Sequence, residues 1–174
     1  MRELITLYAR YNTAINDDLS VLMSKVNRDD LLAPRATHHA SLHRLYHHLA
    51  TGAWHYLTAA NRLSGGTYCT EIPPLPPYSE DLDVNRISEL LGDLGRILIE
   101  LSGQITTEDL TAVRHGITIY NGRTLDITLW QFILQHITHQ THHQGQISIL
   151  LDQLGLDHEF GNVFPLIPDA TQTS

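Results

Sequence analysis

Cysteine and lysine are almost absent from this chain of 174 residues: Cys69 and Lys25 are the sole examples. A lone cysteine excludes an internal disulfide and a cysteine-built zinc cluster, and the length suffices to bury a core without either. The formal net charge of −8 leaves no basic footprint for nucleic acid or an anionic membrane surface. Long apolar runs are missing too, so no stretch can span a bilayer. Arg2, Glu3 and Arg10 interrupt the N-terminal segment where a secretory signal needs an unbroken apolar core. Together these absences predict a soluble cytoplasmic protein that binds neither nucleic acid nor membrane.

The chain does abound in histidine, with 12 in all. Nearly all lie between His38 and His55 or between His136 and His143, within two helical segments rather than in a terminal tag-like run.

Hydrophobic periodicity organises the rest. Leu4, Tyr8, Tyr11, Ile15, Leu19, Leu22 and Val26 recur at steps of three and four, a first amphipathic helix of about six turns. Pro34 breaks the segment that follows. A second helix is predicted from Ala40 to Leu63, with Leu42, Leu45, Leu49, Ala53, Tyr56 and Ala60 on one face. "SGGTYCTEIPPLPPYSED" is a loop, since its prolines and glycines sustain neither helix nor sheet. Cys69 within it has no adjacent cation to depress its pKa, and reads as a bland free thiol. Asp81 or Asp83 caps a third helix, with Ile87, Leu90, Leu91, Leu94, Ile97, Leu98 and Leu101 as its stripe.

Asn121-Gly122 between β-branched and aromatic residues signals a hairpin turn. Asp126 or Thr124 is the expected cap of a fourth helix that stops at Gly155, and the tail is expected to pack an apolar patch back on the body. The pattern predicts an all-α fold: a four-helix bundle, with a small hairpin or extended insertion before the last long helix, forming a single domain over residues 1–174.

A helical wheel sorts the histidines of the last helix. With Leu129, Ile133, Gln140, Ile147, Leu151 and Leu154 facing inward, His136 and His143 fall near the centre of the buried face. His139 falls on its flank and His142 on the far side. His139 and His143 are four apart, so their rings can converge on one ion. The residues between them are Gln140, Thr141 and His142, so the glutamate base of the zinc peptidases is missing. No Glu-x-x-His pair occurs either, which removes the usual signature of di-iron bundles.

At least a third ligand has to come from elsewhere, and in a bundle the natural source is a facing helix. The second helix offers His43, His47, His48 and His55, and the wheel alone does not separate His47 from His48. His38, His39 and His43 read as exposed and bland, and His136 as a core residue or a hydrogen-bonding neighbour of the ligands. An all-imidazole site suits zinc or nickel better than magnesium or calcium.

"HQTHHQGQISILLDQLG" resembles the H-x-x-x-H-R-G-Q signature of the DinB/YfiT-like family. "YNTAIN" in the first helix and "SLHRLYHHLATGAWHYL" in the second match further elements of that family in order and spacing. The resemblance implies a four-helix bundle whose divalent metal is held by His48, His139 and His143. It also implies a homodimer, and a reaction in which the ion activates a low-molecular-weight thiol for transfer to a small electrophile. No residue stands out as a general base or other catalytic group.

Where the family commonly has an arginine after the last ligand, this chain has Gln144, without a fixed cation or forked donors. Asn12, Asn16 and Gln146 are candidates to orient a ligand ring or a bound water. Asn12 and Asn16 could equally bond helix to helix; Gly145 permits close approach of a neighbouring helix or ligand, and packing is at least as good an explanation for it and for Gln146. Two other functions fit the same residues: metal-dependent hydrolysis of a small ester or amide, and a non-catalytic metal-binding or structural dimer.

Overall fold

A computed structural model describes residues 1–66, 68, 71–119, 121–160 and 162–167. Its helices are α1 (Arg2–Met23), α2 (Arg28–Leu32), α3 (Leu42–Leu63), α4 (Val84–Gln104), α5 (Thr107–Thr111) and α6 (Leu129–Gln153). Two strands, β1 (Val113–Thr118) and β2 (Thr124–Thr128), precede α6, and a 3-10 turn, Phe164–Leu166, follows it. The fold is thus mostly helical with one small sheet. None of the described helices is long and apolar enough to cross a membrane. Cys69 lies outside the described residues, as do 168–174 of the tail.

The four long helices pack as α1 on α4 and α3 on α6, with further contacts between α3 and α4 and between α1 and α6. Each of α1 and α3 is therefore flanked by α4 and α6. Leu19, Met23, Leu45, Leu49, Leu91, Leu94, Ile147 and Leu151 fill the main core from all four helices. A second cluster of Ile5, Ala60, Leu101, Ile105, Leu110, Leu129 and Ile133 closes the end beneath α5.

Local chemistry explains most boundaries. Ser41 accepts from the Arg44 N–H at the start of α3, and Asp83 accepts from Asn85 at the start of α4. α3 starts later than its periodicity suggests because Ala40 has φ of 63°, outside helical space. α1 also departs from expectation at its first turn: Leu4 is 68% exposed, and Ile5 and Ala9 are buried instead. The buried line continues through Asn12 and Asn16, a polar stretch that an apolar stripe cannot reveal.

The hairpin forms at Asn121-Gly122, with φ of 78° at Gly122. The expected caps of α6 need correction, because Thr124 and Asp126 both belong to β2. Asp126 accepts hydrogen bonds from the Gly116 N–H and from the His115 ring across the irregular part of the ladder. β2 runs directly into α6, and Thr128 is the residue that opens the helix, its N–H donating to the Gln131 side chain. In the tail Phe160 packs on the main core, whereas Phe164 stays 78% exposed.

Candidate metal centre

α6 presents its histidines at steps of three and four from a helix locked to its neighbours. Gln140 is fully buried and donates to the Leu49 carbonyl on α3. Gln144, also buried, donates to Asn12 Oδ1 at 2.9 Å and to Asn16 Oδ1 at 3.1 Å on α1. Asn12 and Asn16 therefore hold one helix to another through the residue that stands where the family commonly has arginine. With the rotation of α6 set in this way, His143 and His136 are buried, His139 is half-buried and His142 is exposed.

α3 divides its histidines between two sides. His47 is buried with its Nε2–H donating to the Pro76 carbonyl, and His43 is buried with its Nε2–H donating to the Leu82 carbonyl. Tyr78 packs against both rings, and Trp54 donates to the Pro73 carbonyl. The proline-rich connection covers this side of α3, so His43 is a buried structural residue rather than the exposed one expected. His48 points to the other side, where its ring centroid lies 4.6 Å from that of His143 and 5.2 Å from that of His139. The rings of His139 and His143 are 4.4 Å apart. His48, His139 and His143 are thus brought into one cluster, and His47 is not.

A further ring joins them. His39, in the segment between α2 and α3, stacks on His48 at 4.1 Å and meets His143 edge-on at 5.3 Å. His39, His48 and His143 offer ligand nitrogens that all lie within 4.8 Å of one another, an arrangement that could hold a metal ion. His39 was expected to be bland because the chain before a helix carries no periodicity to show where it folds. Gly52 is a second residue that pattern alone does not single out. A Cβ built there would come within 2.3 Å of His139 Cε1, so the glycine on α3 makes the space in which the His139 ring lies. Gly145, a candidate for close approach to a helix or ligand, instead faces open space.

The donor set suits a divalent ion. Two nitrogens on a tetrahedral zinc lie roughly 3.3 Å apart, so the side chains need only modest rotation to converge. Burial, reinforced by repulsion among the neighbouring rings, pushes His48 down to about 3 and His39 and His139 down to about 4. Burial also lowers His143, against a hydrogen bond to Gln146 that raises it. The rings are therefore neutral near pH 7, as metal ligands must be.

Gln146 Oε1 accepts from His143 Nδ1–H at 2.8 Å, a contact that leaves the Nε2 lone pair free. His139 Nδ1 is buried without a hydrogen-bond partner, a polar demand that coordination or ordered water can meet. His136 is fully sequestered beside Tyr56, with its own Nδ1 unpartnered, and burial pushes it down to about 3. A cavity of about 360 Å³ lies elsewhere, lined by Leu31, His43, Glu80 and Asp83 among others. None of the four clustered histidines lines it, so it is not the place where a metal-bound molecule would sit.

These shifts predict how the metal-free protein responds to acid. The folded values lie below the 6.5 of an ordinary imidazole, so from about pH 6.5 down towards 4 the unfolded chain binds more protons than the folded one. Stability then rises with pH through that window and is lost as pH falls. Urea unfolding of metal-free protein gives a higher midpoint at about pH 7.5 than at about pH 5. Equal midpoints contradict the burial of neutral rings.

No curated protein matches the chain significantly. Solved structures share its fold, among them the following two. A DinB-like protein from Bacillus subtilis is 15% identical with a TM-score of 0.57, over 92% of this chain and 97% of that one. A DinB-like protein from Bacillus cereus ATCC 10987 is 22% identical with a TM-score of 0.56, over 88% of this chain and 92% of that one. The DinB family model matches residues 1–164, and the chain belongs to the DinB family.

Proposed function

We propose that the protein is a metal-dependent transferase that holds one zinc or nickel ion among its clustered imidazoles and joins a low-molecular-weight thiol to a small electrophile. The observation that carries this reading is the convergence of His39, His48 and His143, with no carboxylate in the group. Neutral nitrogen donors favour borderline metals and leave the ion its full positive charge. A divalent ion so held supplies Lewis acidity and lowers the pKa of a bound thiol or water.

The chain's own residues position the donors. Gln146 fixes the tautomer and tilt of His143. The Gln144 bonds to Asn12 and Asn16 fix the rotation of α6, and Gly52 leaves room for His139. On the same reading the long helices form a four-helix bundle in one domain, acting as a cytoplasmic homodimer.

The test is to purify the protein without added metal, measure what is bound, and screen thiols with a chromogenic electrophile. Turnover that needs both metal and thiol supports the transferase. Stoichiometric metal with turnover of a small ester in the absence of thiol replaces it by a hydrolase. Metal that affects only melting temperature replaces it by a structural site.

Gly52→Ala separates ligand positioning from folding. Alanine favours a helix over glycine by about 1 kcal/mol, yet its Cβ pushes the His139 ring away. The expected outcome is a metal-free melting temperature unchanged or raised, with metal affinity lower by roughly tenfold. Titration calorimetry and thermal melts measure both, and an unchanged affinity removes His139 from the site.

A further inference from the structure

The three histidines on α3 and α6 are borne by rigid helices. His39 is not. It lies in the turn before α3, where Ala40 N–H donates to the Thr37 carbonyl and Arg35 N–H to the Ala40 carbonyl. Ala40 takes φ of 63°, the one positive value at a non-glycine among the described residues. This left-handed step is uncommon for a residue with a Cβ. The paired histidines just before it face differently: His38 is exposed, whereas His39 is half-buried against His48 and His143.

We infer that His39 is a fourth ligand of the same ion, a loop-borne donor that fills the position left by His48, His139 and His143 and is displaced when an exogenous ligand binds. The inference rests on the metal-binding reading above and deepens it by giving His39 its own role at the ion. Its support is geometric. His39 and His139 each contact both His48 and His143, at centroid separations of 4.1 and 5.3 Å for His39 and 5.2 and 4.4 Å for His139. Four imidazoles on a tetrahedral zinc place their ring centroids roughly 5 Å apart. The ligand nitrogens of His39, His48 and His143 lie within 4.8 Å of one another, and the His139 ring adjoins His48 and His143 as well, so the His48–His143 pair is common to both sets of three.

Four neutral nitrogens complete a tetrahedral shell, the arrangement of a closed site rather than an open one. Three of the donors sit on long helices, and one of them, His143, is also held by Gln146. The fourth sits on a turn, so it is the donor that yields most readily to a small ligand. Opening the site then means releasing His39, with no bond of the helices disturbed.

Cobalt(II) is the probe, because its visible absorption reports coordination number and donor type. Metal-free wild type, His39→Ala, His38→Ala and His48→Ala are titrated with cobalt(II), with circular dichroism to check that each is folded. His39→Ala is expected to bind one cobalt with affinity lower by roughly tenfold or more and with a changed spectrum. Added imidazole is expected to bind the variant's ion far more tightly than the wild-type ion and to restore the wild-type spectrum. His38→Ala is expected to match wild type.

Wild-type affinity and spectrum in His39→Ala, with binding lost in His48→Ala, overturn the role of His39 and leave the metal site standing. Equal losses in His38→Ala and His39→Ala overturn it as well, because the turn rather than the ring would then matter. Failure of the wild type to bind cobalt, zinc or nickel overturns the metal reading and this inference together.

Discussion

His143→Ala lowers affinity for zinc or nickel by at least on the order of 100-fold, while the metal-free protein keeps its helical content. The expectation follows from the place of His143 among the rings. It contacts His39, His48 and His139, it is buried, and Gln146 has already set its tautomer. Losing a residue that merely orients a ligand typically costs 10- to 100-fold in metal affinity, and losing a buried, helix-borne ligand costs at least the upper end of that range.

The effect also appears in stability. A metal present at about 100 times its dissociation constant stabilises the folded state by about 2.7 kcal/mol, roughly 5–11 °C in melting temperature for a chain of this size. Zinc should produce that rise in the wild type and little in His143→Ala at the same concentration. His142→Ala is the matched comparison, since that ring is exposed on the same helix. A similar loss in both variants would show that histidine content, rather than geometry, governs binding.

The second large effect concerns stability rather than metal. Gln144→Leu removes the amide that donates to both Asn12 and Asn16, residues that are 2% and 3% exposed. Two buried carbonyl oxygens lose their donor, at a cost of about 1–3 kcal/mol for each group left unpaired. The expected destabilisation is about 3 kcal/mol, roughly 10 °C in melting temperature.

If unpaired polar groups are the cause, replacing Asn12 and Asn16 by leucine in the same chain recovers much of the loss, because an apolar set leaves nothing unsatisfied. If lost shape is the cause, the triple variant is worse than the single one. Denaturant unfolding of the metal-free proteins distinguishes the two.

Histidine positions were readable from sequence where periodicity controls them and unreadable where tertiary contacts do. On α6 a 100° step per residue sufficed to bury His143, expose His142 and leave His139 between them, because the apolar residues around them define the face. On α3 the same procedure did not separate His47 from His48. The difference lies in the proline-rich connection, whose Pro76 carbonyl and Tyr78 ring cover His47. No wheel includes a segment so distant in sequence.

His39 was missed for a related reason. It precedes the Ser41 cap, outside any periodic element, and a left-handed residue carries it to the cluster. Two adjacent histidines just before a capping serine were the available signal. The caps of α6 were misplaced because a strand running straight into a helix leaves no loop between them, and Thr128 serves as both strand end and helix start. The family arginine position illustrates the converse. The change to Gln144 was plain in the sequence, but its consequence, a bond from α6 to α1, depends on Asn12 and Asn16 facing it across the core.

The most direct measurement of the central claim is anomalous diffraction at the metal absorption edge from crystals of zinc- or nickel-loaded protein. One peak per chain within coordination distance of His48 and His143 is the predicted result. A peak elsewhere, or no peak after saturation with metal, would contradict it.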